Sequence, residues 1–327
     1  MKSLVLLVTA LSFLLASGCS QDKPYRESRF LMGTLVEIAA YPDTNRVRTA
    51  VAEAYDRMEA IEAATDHRKE DSVLAALRRG ERVILSGDLR AVFASAMMIA
   101  RESSGAFDPT MGKVVSLWGF DMDTPRLPLE QELRNSLKTV GFEKVTLAGS
   151  IIKAGSPVWL DLGGVAKGYA VDEAVKVLKE QGASAGIVNA GGDLKAFGKK
   201  PGGKRWRIGV QAPDDHQELA GVLEIANGAV ATSGDYERYF ETGGKRYHHI
   251  LDPGTGYPAR SGLRSVTIVA FDCLLADALS TAIFVMGPEK GLELLKGRDG
   301  VHAVLVLETG EVLTTDGVGS EVGFERR

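Results

Sequence analysis

Two strand-like runs that almost touch, 221–226 and 229–232, set the tightest limit on what this chain can fold into. So short a separation favours a hairpin over a purely parallel sheet. Further strands read at 35–39, 185–188, 205–211, 266–271 and 301–307, the third through alternating Trp206, Ile208 and Val210. Helical spacing is equally plain. Val47, Val51, Ala54, Met58 and Ile61 recur behind Asn45 as a cap, and Val92, Phe93, Ala96, Met97 and Ala100 form a stripe after Asp88. A third helix spans 166–181 and stops at Gly182. Helices and strands in this order give an α+β or mixed α/β class, with mixed sheets and flanking helices. At 45% hydrophobic and 25% charged, the 327 residues can bury one substantial core, and no internal repeat or long linker divides them.

The amino terminus stands apart. Lys2 precedes an apolar run over 4–15, too short for a membrane span of ~20 residues, and Ala16-Ser17-Gly18-Cys19 follows. This reads as a signal peptide over 1–18 ending in a lipoprotein-like box, with Cys19 lipidated as the first mature residue. A polar tether over 19–29 would then join a periplasm-facing membrane anchor to a body at 30–327. Cys273 is the other of the two cysteines, so lipidation of Cys19 leaves no intramolecular disulfide. The net charge of −4, one unit more negative once Lys2 is removed, argues against nucleic acid as a partner.

Three segments carry chemistry. Asp161-Leu162-Gly163-Gly164-Val165-Ala166-Lys167-Gly168 joins an apolar stretch at 158–160 to the helix at 166. Glycines at a helix start admit phosphate to the backbone amides, and Lys167 adds a positive charge. The spacing matches neither of the common nucleotide-loop patterns, so a tight turn with a surface lysine is the competing reading. Asn189-Ala190-Gly191-Gly192-Asp193 puts an acid at a strand end, where either ligand binding or plain turn formation explains it. Asp277 and Thr281 lie four apart in the otherwise apolar, helix-compatible run 274–286, sharing one face. An ionised carboxylate there is costly unless paired or coordinated. With oxygen donors and no Cys/His cluster, a metal at this site would be Mg²⁺ rather than zinc.

Further segments occur in order: Phe30-Leu31-Met32-Gly33-Thr34, Gly105-Ala106-Phe107-Asp108-Pro109-Thr110, Leu117-Trp118-Gly119-Phe120, Ala231-Thr232-Ser233-Gly234-Asp235-Tyr236, and His248-His249-Ile250-Leu251-Asp252-Pro253-Gly254-Thr255-Gly256. With the three above, the chain resembles the ApbE-like FAD:protein FMN transferases over nearly its whole length. The resemblance implies an ApbE-like α+β fold, FAD as substrate, and transfer of FMN to a Ser or Thr hydroxyl of an acceptor flavoprotein with release of AMP. It places the flavin near Met32 and Ala106-Phe107-Asp108, the phosphates by Asp161 and Lys167, and the nucleotide beside His249 and Leu251. It assigns Mg²⁺ to the Gly164 carbonyl, Asp277 and Thr281. His249, Asp108 and Asp193 are all candidates for the base that takes the acceptor proton. One departure concerns Ala64-Thr65-Asp66-His67-Arg68, where the family often has Ser-Thr-Tyr or an Asn-containing variant. Hydrolysis of FAD to FMN and AMP, and non-catalytic flavin binding, are the alternatives.

Overall fold

The computed structural model describes residues 23–326 apart from 86, 121, 123, 155, 156 and 216, so the signal peptide expected over 1–18 and Cys19 lie outside the described residues. The chain opens on β1 (Tyr25–Leu31) and β2 (Thr34–Tyr41), then α1 (Asn45–Thr65), α2 (Val73–Arg78), β3 (Val83–Ile84) and α3 (Gly87–Glu102). Next come α4 (Gly112–Trp118), α5 (Glu130–Leu137), β4 (Val145–Ala148), β5 (Ile151–Ala154) and α6 (Gly163–Glu180). Five strands follow: β6 (Ala185–Ala190), β7 (Asp193–Phe197), β8 (Trp206–Gln211), β9 (Leu219–Ile225) and β10 (Gly228–Gly234). The remainder is β11 (Tyr239–Thr242), β12 (Lys245–His248), β13 (Leu263–Ala270), α7 (Cys273–Met286), α8 (Pro288–Leu295), β14 (His302–Leu307), β15 (Val312–Thr314) and β16 (Gly323–Arg326).

Eight strands form one sheet in the order β1-β2-β6-β7-β10-β13-β14-β15, each neighbour antiparallel. Because side chains alternate between faces, Val36, Ile38 and Ala40 of β2 pack under α1 and α6, and Val266 and Ile268 of β13 pack under α7. Tyr41, Val269 and Val304 point the other way, onto Trp206, Ile208, Val210, Leu223 and Ile225 of a covering sheet ordered β16-β9-β8. The molecule thus has helices, a large sheet and a small sheet as three layers.

The hairpin expected of 221–226 and 229–232 does not form. β9 pairs with β8 and β16, whereas β10 pairs with β7 and β13. β10 is buried along both faces and takes a central place in the large sheet, while β9 turns Leu223 and Ile225 inward and leaves Glu224 partly exposed. The chain steps between layers at Asn227-Gly228, where Gly228 has φ +136°, a conformation that favours glycine. Asn227 Oδ1 anchors the step by accepting from the Gly198 amide at 2.8 Å. A period-two pattern alone cannot distinguish strands of stacked sheets from strands of one hairpin.

Two other boundaries differ. β1 begins at Tyr25, inside the stretch 19–29 expected as a tether. Its polar residues are held at the sheet edge: Arg29 pairs with Glu27 at 2.8 Å and lies 4.4 Å over the Tyr55 ring. α6 starts at Gly163 rather than 166, so Gly163, Gly164 and Gly168 are helical, and 158–160 is not a strand. A Cβ on Gly168 would overlap the backbone of Cys273 and Leu274, so α6 and α7 cross with their main chains in contact. Asn45 is the first residue of α1, and Thr44 caps it through Oγ1, 3.3 Å from the Val47 amide.

Candidate active site

A cleft of about 1410 Å³ opens where α6 begins and β6, β7 and β10 meet their turns. Every site residue expected from the sequence between Met32 and Thr281 lines it. The residues are nearly 250 positions apart at the extremes, so this convergence comes from the fold and not from local spacing.

The inner wall is made by α6, α7 and the start of β7. Asp277 is only 4% exposed, and its Oδ2 accepts from the Gly168 amide at 3.1 Å. Lys167 lies 3.5 Å from that oxygen and 2.5 Å from Oδ2 of Asp193, which the two-residue turn Gly191-Gly192 places at the head of β7. Both turn glycines have positive φ, as such a hairpin turn requires. Burial opposes the Lys167 ammonium, but the Asp193 and Asp277 carboxylates outweigh it and hold its pKa above the ordinary value. Burial, and then the Asp193 charge, raise Asp277 as well, against the pull of Lys167.

Two carboxylates, Asp193 and Asp277, face the one Lys167 ammonium, and such an excess of acceptor oxygens suits a cation. The donors beside it are hard oxygens. Thr281 follows Asp277 by one helical turn, and a Cβ on Gly164 would come 3.7 Å from Thr281 Oγ1 and 2.9 Å from a ring carbon of Phe107. The residues therefore fit a small divalent ion, with Gly164 kept bare by Phe107.

The outer wall is made of turns. Met32 and Gly33 link β1 to β2 with φ of 55° and 70°, and the Met32 amide donates to Glu62 at 2.9 Å. A methionine in the left-handed region is unusual and strained. Ala106 and Phe107 lie on the loop after α3, which the Asp161 amide ties down by donating to Pro109 O at 2.8 Å. Asp108 is committed within this loop. Its Oδ1 accepts from the Thr110 amide and hydroxyl at 2.8 and 2.6 Å, and its Oδ2 accepts from the Phe142 amide at 2.9 Å. Asp161 Oδ1 likewise accepts from the Gly163 amide at 2.8 Å, fixing the start of α6. Leu251 is buried with Met111, Val114 and Trp118, and Trp118 is wholly buried with Nε1 donating to Gly256 O at 2.8 Å. Asp66, His67 and Arg68 also border the cleft, with Arg68 Nε 2.9 Å from Asp66 Oδ1.

His248 and His249 end the β11–β12 hairpin and face opposite ways. His248 is buried edge-on to Phe284, and its Nε2 donates to Ala259 O at 3.0 Å. His249 lines the cleft, and its Nδ1 donates to Arg238 O at 3.3 Å, which leaves Nε2 as the acceptor of the ring. Burial, then Arg238 and His248, push His249 down to about 3, so the ring is neutral at pH 7.

Sequence reasoning assigned no role to Ser233, Glu237 or Arg238, which also line the cleft. The segment 231–236 carried the only signal, as an ordered motif without a chemical reason attached to any one residue.

Comparison with known proteins identifies the family. A model of the ApbE family matches residues 32–305. The FAD:protein FMN transferase of Treponema pallidum (strain Nichols) is 33% identical, covering 93% of this chain and 90% of its own. That of Haemophilus influenzae (strain Rd) is 32% identical and covers 96% of each. Among solved structures, the ApbE protein of Thermotoga maritima MSB8 is 38% identical with a TM-score of 0.84, covering 90% of this chain and 97% of that one. The flavin transferase ApbE of Vibrio cholerae is 28% identical with a TM-score of 0.79, covering 90% and 96%. Matched in sequence over most of its length and in fold by a solved relative, the chain belongs to the ApbE family.

Proposed function

We propose that this protein is a Mg²⁺-dependent FAD:protein FMN transferase, anchored to a membrane on its periplasmic side through a lipid on Cys19. The observation that carries the reading is the convergence of Lys167, His249, Asp277 and Thr281 on one cleft, in a family whose relatives bear that enzyme name. The substrate is FAD, and the acceptor is a Ser or Thr hydroxyl of another protein.

The acceptor oxygen attacks the FMN-side phosphorus, a new P–O bond forms, and the pyrophosphate P–O bond breaks so that AMP leaves with the bridging oxygen. Lys167 and the positive end of α6 meet the phosphoryl charge, the Gly163 amide there being held by Asp161 Oδ1. The hydroxyl proton passes to Nε2 of His249, which keeps an acceptor position because Nδ1 donates to Arg238 O. Asp108 spends its oxygens on Thr110 and Phe142, and Asp193 spends one on Lys167, which favours His249 over both. The Gly164 carbonyl, Asp277 and Thr281 would hold Mg²⁺, which supplies Lewis-acid neutralisation of the pyrophosphate when bound.

The test is to incubate the protein with FAD, Mg²⁺ and an acceptor, then measure covalent flavin fluorescence on a gel together with AMP. Labelled acceptor with equimolar AMP is expected. AMP without labelling would make the protein a hydrolase, an outcome to which the altered 64–68 segment gives weight, and tight FAD binding with neither product would make it a flavin carrier. Membrane association that survives Cys19→Ala would refute the anchor.

A further inference from the structure

Beneath the cation site Thr281 heads a chain of three hydroxyls, of which the inner two, Ser233 and Ser280, have no part in the proposed reaction. Ser280 Oγ donates to the carbonyl oxygen of Asp277 at 2.8 Å, and a carbonyl can only accept. Its single proton is therefore spent. Ser233 Oγ lies 2.8 Å from Ser280 Oγ, so in that contact Ser233 must be the donor. Its own proton is then spent too. Thr281 Oγ1 lies 3.2 Å from Ser233 Oγ, and by the same elimination Thr281 must donate. The direction of the whole relay follows from the one member that has no choice.

We propose that Ser233 is a positioning residue that draws the Thr281 proton inward and so presents lone pairs, not a hydrogen, to a cation in the cleft. The inference rests on the reading that Thr281 and Asp277 hold a divalent ion. Ser233 is 7% exposed and Ser280 is 1% exposed, so little water competes for these bonds. β10 supplies Ser233 and α7 supplies the other two, so the relay also registers helix against sheet at the point where the ion binds. The relay terminates on the backbone of Asp277, the other side-chain donor of the site. A freely rotating threonine hydroxyl would direct its hydrogen at the ion for part of the time. Groups that orient a metal ligand in this way typically change metal affinity by about 10–100-fold when removed.

The probe is Mn²⁺, titrated into the purified full chain and followed by the electron paramagnetic resonance of the free ion, with Tm recorded for each variant. Ser233→Ala should weaken Mn²⁺ binding about tenfold while moving Tm by only a few degrees. Ser280→Ala should have a smaller effect, because Ser233 can still accept from Thr281. Ser233→Thr and Ser233→Val have nearly the same volume and differ in the hydroxyl. The Thr variant should bind as the parent does and the Val variant as weakly as Ser233→Ala. Parent-like affinity in Ser233→Ala or Ser233→Val, with binding lost in Asp277→Ala, would overturn the role of Ser233 and leave the metal site standing. A parent that binds no Mn²⁺, or an Asp277→Ala variant that binds it equally well, would overturn the metal reading and this inference together.

Discussion

On the side of the cleft made by α6, α7 and β10, polar atoms are held by other polar atoms on regular elements: Lys167 by Asp193, Asp277 by the Gly168 amide, Thr281 by Ser233. Across the cleft, Met32, Ala106, Phe107 and Asp66 sit on turns and loops, one of them with strained backbone. The first wall has nowhere to move without leaving a charge or a hydroxyl unpaired in the interior, which is expensive. The second can change its side chains at the cost of a turn. Under the proposed function the difference teaches a division of labour: the pyrophosphate would meet groups fixed by helix packing, and the remainder of the substrate would meet loops.

The sharpest way to break this contrast is at Asp277. Asp277→Asn keeps the shape but removes the charge that faces Lys167, and FAD turnover measured as AMP release should fall by roughly 10²–10³-fold, the scale of removing a preorganised electrostatic stabiliser. Retention of Mg²⁺-dependent activity would mean the inner wall is not the chemical one.

His248 tests the rigidity of the same side by pH. Burial lowers it to about 4, against about 6.5 in an unfolded chain. As pH falls from 6.5 toward 4 the unfolded chain takes up a proton that the folded ring refuses, so stability drops across that window and levels off below it. The loss is about 3 kcal/mol. Denaturant titrations at pH 7 and pH 4 should therefore show a smaller acid loss in His248→Gln than in the parent, and parallel profiles would contradict the buried, neutral ring.

His249 is its neighbour in sequence and its opposite in role. His249→Gln should lower FMN transfer about 10²-fold, as loss of a general base does, with the protein's melting temperature nearly unchanged; an equal loss in FAD binding would point to substrate contact instead. The smallest effect concerns the outer wall. Met32→Gly relieves a left-handed residue and should stabilise the fold by roughly 1 kcal/mol, yet weaken FAD binding by removing a side chain from the cleft. A variant that gained stability and kept its affinity would show that the strain serves no ligand.

Sequence reasoning read these two walls unequally, for a physical reason. Asp277 was conspicuous because a carboxylate in an apolar helical run demands a partner, and Lys167 because it stands beside glycines near a helix start. Ser233 carries no such cost on paper, since a serine in a strand needs no explanation until its neighbours are known. The pairing of β10 with β7 and β13, instead of with β9, depended on which faces were covered, and that is a property of layers. The strand at Tyr25 was hidden because its stabilisation comes from backbone bonds to β2 and from Arg29 lying over Tyr55. The extra turn-length of α6, which makes Gly164 helical, was masked by glycines that ordinarily signal a loop.

The strand order also sets a schedule for assembly. β2 borders β6 although some 150 residues lie between them, and α7 arrives only at Cys273. Contacts of such long range are slow to form, because a large loop must close before any of them is rewarded. A growing chain that has already produced Met32, Phe107 and Lys167 still has no half of the cleft to offer FAD, since the helix that completes the inner wall is among the last elements made. Partial chains should thus be silent toward the flavin, and the ability to bind it should appear all at once.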